Sequence, residues 1–251
     1  MPWEILALLL FAGLTAGFTD AIAGGGGLIT VPALLWAGLD PQTALGTNKM
    51  QSVFGTTVAV HRYATAGLID WREVRLTLVV TFLAAVIGTW IVTLVSNKLL
   101  ALTVPWLLLG LAVHLLASPH IGRKESRERL GPVAFAIFAG ALLGFYDGFF
   151  GPGTGVFWTL GCLTLRGMEL TRAIAYSKAA NLTSNAASLL VFLLAGLVQF
   201  DVAVVMIAGQ VLGGRLGAGM AIRHGIPLIR VVFIGVVLAL TGKLLWDQFS
   251  G

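Results

Sequence analysis

Charge is what this sequence has least of. Only 11% of its 251 residues are Asp, Glu, Lys or Arg, against 57% hydrophobic, and the mean hydropathy is +0.93. Soluble domains carry about 25% charged residues. The composition therefore excludes an ordinary soluble domain and indicates a polytopic membrane protein. Cysteine is nearly absent as well. Cys162 alone rules out an internal disulfide and weighs against a cysteine-rich metal site. In its apolar setting it reads as a small buried hydrophobe. There is no HExxH, no CxxC and no Ser–His–Asp set, and His114, His120 and His224 are too dispersed for a metal site. No catalytic residue, no metal and no cofactor are expected. Residues 1–4 hold no Lys or Arg, so the positive region of a signal peptide is missing and the first apolar run reads as a membrane element. A net charge of +5 in a soluble chain would raise nucleic acid. Here the cations sit mainly in short loops, where they set orientation, and no nucleic-acid partner is expected.

What is present is a series of ten apolar segments, at about 3–23, 28–38, 41–66, 74–95, 99–117, 132–150, 156–165, 168–197, 201–222 and 227–246. A helix needs roughly 20 residues to cross a hydrocarbon core of ~30 Å, so 28–38 and 156–165 are too short to cross fully. Either could instead fold back with its predecessor as a re-entrant hairpin. The one strongly hydrophilic stretch, 118–131, with Arg123, Lys124, Arg127 and Arg129, reads as a solvated loop. It divides the chain into a first membrane unit, 1–117, and a second, 132–251. Gly209, Gly213 and Gly217 form a small-residue face for close helix packing in lipid.

The second unit repeats the first. Gly24-Gly25-Gly26-Gly27 interrupts the apolar run after Asp20, and Gly151-Pro152-Gly153-Thr154-Gly155 interrupts it after Asp147. Such breaks survive in a membrane only where they are buried in protein or line a wet cavity. Phe11-Ala12-Gly13 matches Phe138-Ala139-Gly140, and Ala44 to Lys49 matches Ala173 to Lys178. Arg72, Arg75, the 118–131 cations, Arg166, Arg172, Arg223 and Arg230 fall in one set of loops. The alternate loops hold Lys98 or nothing. Positive-inside bias puts the first set in the cytoplasm. Five elements per unit then give two inverted-topology repeats, an all-α fold in which both termini are non-cytoplasmic. A broken helix in each inverted copy is a plan of secondary transporters.

Lys49 and Lys178 are the sharpest signals. Each lies inside a membrane segment, at equivalent positions of the repeat, and a charge there marks function by default. Brought together, they repel unless an anion, or Asp20 and Asp147, lies between them. The competing readings are snorkelling and a structural Lys–Asp pair within each half. Asp20 and Asp147 have three roles open to them: capping, pairing or proton coupling. Gly25, Gly26, Gly27, Gly153 and Gly155 offer backbone N–H groups at the positive ends of the short helices. Residues 151–155 are no dinucleotide fingerprint, since no strand precedes them. Asn48, Ser52 and Thr56 recur every four residues, as do Ser177, Asn181 and Asn185. Each set makes one polar stripe, suited to coordinating an oxyanion or to joining helices. Gln51 aligns with Ala180 and has no polar counterpart. His61 reads as an interfacial histidine.

These motifs carry a resemblance. Gly17-Phe18-Thr19-Asp20 through Leu34, then Ala44-Leu45-Gly46-Thr47-Asn48-Lys49, and the second copy from Gly144 to Gly155 resemble the sulfite exporter TauE/SafE family over nearly the whole chain. The resemblance implies a permease of the bacterial inner membrane that moves a sulfur oxyanion or small organosulfonate. It maps the family's Gly-rich turn and Asn-Lys pair onto Gly24 to Gly27 and Asn48-Lys49. Ser177-Lys178 departs from that pair in the second copy. The expected site is therefore Lys49, Lys178, Asn48, Ser52, Ser177, Asn181, Asn185 and the glycines of the two breaks, with Asp20 and Asp147 coupling protons or holding structure. An anion channel is the first rival and a membrane enzyme or assembly factor the second. The bilayer and a small anion are the expected partners, and homo-oligomerisation stays open.

Overall fold

The computed structural model describes residues 2–117 and 128–224. The tenth segment, at 227–246, and most of the 118–131 loop lie outside the described residues. The other nine segments are all helices: α1 (Trp3–Ala23), α2 (Gly27–Trp36), α3 (Pro41–Thr65), α4 (Trp71–Leu94), α5 (Asn97–Ala117), α6 (Pro132–Phe149), α7 (Thr154–Leu165), α8 (Leu170–Leu194) and α9 (Phe200–His224). Among the described residues there is no strand.

Helix starts follow local chemistry. Asp40 accepts the Thr43 N–H at 3.2 Å and Pro41 supplies the first helical residue of α3. Asp70 accepts from the N–H groups of Arg72 and Glu73, which moves the start of α4 back from 74 to Trp71. Glu169 does the same for α8 through Thr171 and Arg172. At 1.5 Å per residue, the ten residues of α2 and twelve of α7 extend about 15 and 18 Å, short of a full crossing.

Among the described residues four helices, α1, α4, α6 and α9, are long and apolar enough to span a membrane. Their outer faces carry exposed large side chains such as Phe11, Leu83, Ile87, Phe138, Leu142, Leu212 and Leu216, the surface that lipid covers. The polar α3 and α8 stand inside this shell: Thr47, Asn48, Lys49, Gln51, Thr56, Ser177, Lys178, Asn181, Ser184 and Asn185 are all buried. Polar groups are thus kept from the lipid, where each unsatisfied one would be expensive.

Helix contacts come in matched sets. α1 packs along α9 and α6 along α4, while α3 packs on α9 and α8 on α4. The seams are glycine-lined. A Cβ on Gly13 or Gly17 would stand 2.6 Å from Met206 O or 2.3 Å from Gln210 O. On Gly144 or Gly148 it would stand 2.7 Å from Thr81 O or 2.2 Å from Ala85 O. The Gly209, Gly213 and Gly217 face is consumed within the chain, against Leu10, Leu14 and Phe18 of α1. Numbers advance together in both seams, so α1 runs parallel to α9 and α6 parallel to α4. Glu73, in the first turn of α4, bonds Arg166 at the end of α7 (2.6 Å) and Arg172 at the start of α8 (2.9 Å). The end of α3 and the beginning of α8 therefore lie at the same end of the bundle.

Candidate functional site

Each helix break is closed by glycine. α1 stops at Gly24, whose φ of 76° is left-handed, and α7 is entered through Gly151 (φ 94°) and Gly153 (φ 80°). Such angles suit glycine and strain other residues. The two breaks touch: a Cβ on Gly24 would lie 2.4 Å from the Gly155 backbone. The first turns of α2 and α7 consequently meet near the centre of the polar region.

Between them lies a small cavity of about 20 Å³, walled by the breaks and by Asp20, Asn48, Lys49, Ser52, Asp147, Thr154, Asn181 and Asn185. That is room for about one water molecule. Of the residues expected from sequence, Gly25, Gly26, Gly27, Gly153, Gly155, Asn48, Ser52, Lys49, Asn181, Asn185, Asp20 and Asp147 are brought together on this wall. Lys178 and Ser177 stand behind it. The Ser177 hydroxyl donates to Gly155 O at 2.8 Å, and Lys178 reaches the cavity only through Asp20. His61 is exposed and away from the wall.

Both lysines are paired, but across the halves and not within them. Lys49 of α3 donates to Asp147 Oδ1 at 2.7 Å, to Asp147 O at 2.6 Å and to Asn185 Oδ1 at 3.1 Å. Lys178 of α8 donates to Asp20 Oδ2 at 3.0 Å. The reading of a pair inside each half is corrected by this exchange: each lysine enters from one half and meets the aspartate ahead of the other half's break. The four charges sum to zero, so in this conformation neither lysine offers an uncompensated charge.

Thr154, Ser184, Thr30 and Gln51, which lie outside the set expected from sequence, complete the site. The hydroxyls of Thr154 (3.2 Å) and Ser184 and the Asn181 amide (3.1 Å) bond the Asp147 carboxylate. Thr30 and Gln51 both donate to Asn48 Oδ1, Gln51 at 2.9 Å. Thr30 repeats at the spacing of Thr159, whose hydroxyl bonds Gly155 O, a match visible in the sequence once the break is aligned. Among the described residues no group of three or more His, Cys, Asp or Glu side chains is placed to hold a metal ion.

The site is polar, charge-compensated and buried where the two broken helices meet. The family model described as Sulfite exporter TauE/SafE matches residues 9–244. A "Probable membrane transporter protein" of Haemophilus influenzae is 40% identical over 245 residues, covering 98% of this chain and 96% of its own. The "Probable membrane transporter protein YfcA" of Escherichia coli K12 is 38% identical over 244 residues, 97% of this chain and 91% of its own. The "Probable membrane transporter protein ORF9" of Sinorhizobium sp is 38% identical over 247 residues, 98% and 95%. No solved structure matches. With the match running almost end to end, this chain belongs to the sulfite exporter TauE/SafE family of membrane transporters.

Proposed function

We propose that the chain is a secondary transporter that carries a small sulfur-containing anion, such as sulfite or an organosulfonate, across the bacterial inner membrane. One observation carries this reading: both glycine breaks, Lys49–Asp147 and the Asp20 end of Lys178–Asp20 converge on one small polar cavity inside an apolar shell. Broken helices that present their positive ends to a mid-membrane site are a recurring way to hold an anion in transporters. The family's description supplies the substrate class.

The same reading takes units 1–117 and 132–251 as inverted repeats, with both termini outside the cytoplasm. It is supported by the matched seams α1–α9 and α6–α4, by the opposite directions of α3 and α8, and by the exchanged ion pairs. Rocking of one unit against the other would open the cavity to each side in turn. The cavity holds about one water, too little for a four-atom oxyanion, and this favours a carrier that must rearrange over a channel with a standing pore.

Purified protein in proteoliposomes tests the proposal. Uptake of sulfite, sulfate, thiosulfate and sulfoacetate is followed under imposed pH and voltage gradients. A saturable flux of one of these, driven by a gradient and showing counterflow, is expected. Flux that is absent for all four, or unsaturable and purely voltage-following, rejects the carrier.

A further inference from the structure

The two ion pairs are equivalent in the repeat and unequal in their surroundings. Asp147 is 1% exposed and bonded on both carboxylate oxygens, by Lys49 and Thr154 on one and by Asn181 and Ser184 on the other. Lys49 uses all three of its protons, the third on Asn185. Asp20 is 13% exposed, and its described partners are Lys178 at 3.0 Å and the Gly26 N–H at 3.3 Å. Lys178 is fully buried with Asp20 as its one described partner.

The uncommitted donors show the same imbalance. Asn181 spends its amide on Asp147, and Ser177 spends its hydroxyl on Gly155. In the first unit Gln51 bonds both Asn48 Oδ1 (2.9 Å) and Ser52 Oγ (3.1 Å). With Thr30 on the same Asn48 oxygen, this fixes the amide so that its Nδ2, which has no described acceptor, and the Ser52 hydroxyl are left for the cavity that both residues line. Ala180 stands at the matching position of the second unit and orients nothing.

We infer that Lys49–Asp147 is a fixed strut and that Lys178–Asp20 is an exchangeable pair: a transported anion takes the place of Asp20 on Lys178 and is held further by Asn48 and Ser52. Asp20 stands between the cavity and Lys178 and is the more exposed carboxylate, so it can leave toward water while Asp147 cannot. Gln51 is a positioning residue for the two neutral donors. This rests on the transport reading above and adds to it which half grips the substrate.

The inference is tested on the purified full-length protein in detergent, with sulfite and sulfoacetate as probes and with melting temperature and anion affinity as readouts. Asp20→Asn removes the competitor for Lys178, so it binds the better probe on the order of tenfold more tightly. Without anion it leaves the buried Lys178 uncompensated and melts below wild type, and the bound probe restores the melting temperature. Lys178→Met abolishes binding and also folds. Asp147→Asn and Lys49→Met each leave a buried charge uncompensated and lower the melting temperature by about 10 °C. The double variant Lys49→Met with Asp147→Leu recovers most of that loss. Weaker or unchanged binding in Asp20→Asn overturns the exchange, and so does tighter binding in a folded Asp147→Asn. A double variant no more stable than the single ones overturns the strut. If the wild-type protein binds neither probe, it is the anion-transport reading itself that fails.

Discussion

A single glycine decides whether the fixed ion pair can exist. Gly151 has a φ of 94°, and a Cβ there would lie 2.9 Å from Lys49 Nζ and 3.0 Å from Asp147 Oδ1. Gly151→Ala thus combines backbone strain, roughly 1–3 kcal/mol for a left-handed residue, with a collision into the pair. Gly196 has a φ of 70° and nothing within 4 Å of an added Cβ, so Gly196→Ala carries the strain alone. Thermal melts of the two variants are expected to separate, with Gly151→Ala the lower. Equal melting would mean that the pair yields to a methyl group. The sequence made the glycine breaks, the lysines and the aspartates legible, because each is conspicuous in an apolar run. It did not reveal which aspartate meets which lysine. That choice spans 98 residues for Lys49–Asp147 and 158 for Lys178–Asp20, and nothing local encodes it.

At the scale of the helix, ends and seams were unequally legible. Asp40-Pro41 was readable as a start because acceptor and proline are adjacent. The cap at Asp70 is hidden because the hydrophobic run begins a turn later, at 74, and the cap at Glu169 because the segment taken from 168 already includes it. The Gly209-Gly213-Gly217 stripe was visible, but its partner α1 was not, because a small-residue face does not name what packs on it. Glu169 lies outside the spanning segments, and its cap makes a prediction about pH. Partial burial pushes its carboxyl up, but hydrogen bonds from the Thr171 and Arg172 N–H groups and the Thr171 hydroxyl outweigh this and leave it below its ordinary value of 4.5. A carboxylate held lower in the folded state stabilises above the unfolded value, and that contribution fades as pH falls through the folded one. Glu169→Ala is expected to destabilise by about 1 kcal/mol near neutral pH and to approach wild type below the ordinary value. A pH series of melts on both proteins checks this, and a constant gap across the series would assign the loss to something other than the charged cap.

In the whole molecule the two polar helices run in opposite directions. Lys49 lies eight residues into α3 and Lys178 eight residues into α8, about 12 Å along each helix. α3 starts at the end of the bundle opposite Glu73 and α8 starts beside it. The two lysines therefore enter from opposite ends, and each finds the carboxylate presented by the other unit's break. Exchange of partners across the centre ties the units together, so neither polar helix is charge-compensated without the other. That arrangement requires the loops on the two sides of the bundle to face opposite sides of the membrane, and two exposed positions report it. Arg72 opens α4 at the Glu73 end, and Lys98 opens α5 after α4 has crossed. In a Cys162→Ser background, which removes the buried native thiol, Arg72→Cys is expected to react with an impermeant maleimide only after the cytoplasmic face is opened. Lys98→Cys is expected to react in intact spheroplasts. Labelling of both from the same side would mean that α4 does not span, and the opposed entry of the two lysines would lose its basis. Reversal of the two results would keep the repeat and turn it over, leaving the cross-paired site intact but facing its gradients from the other side.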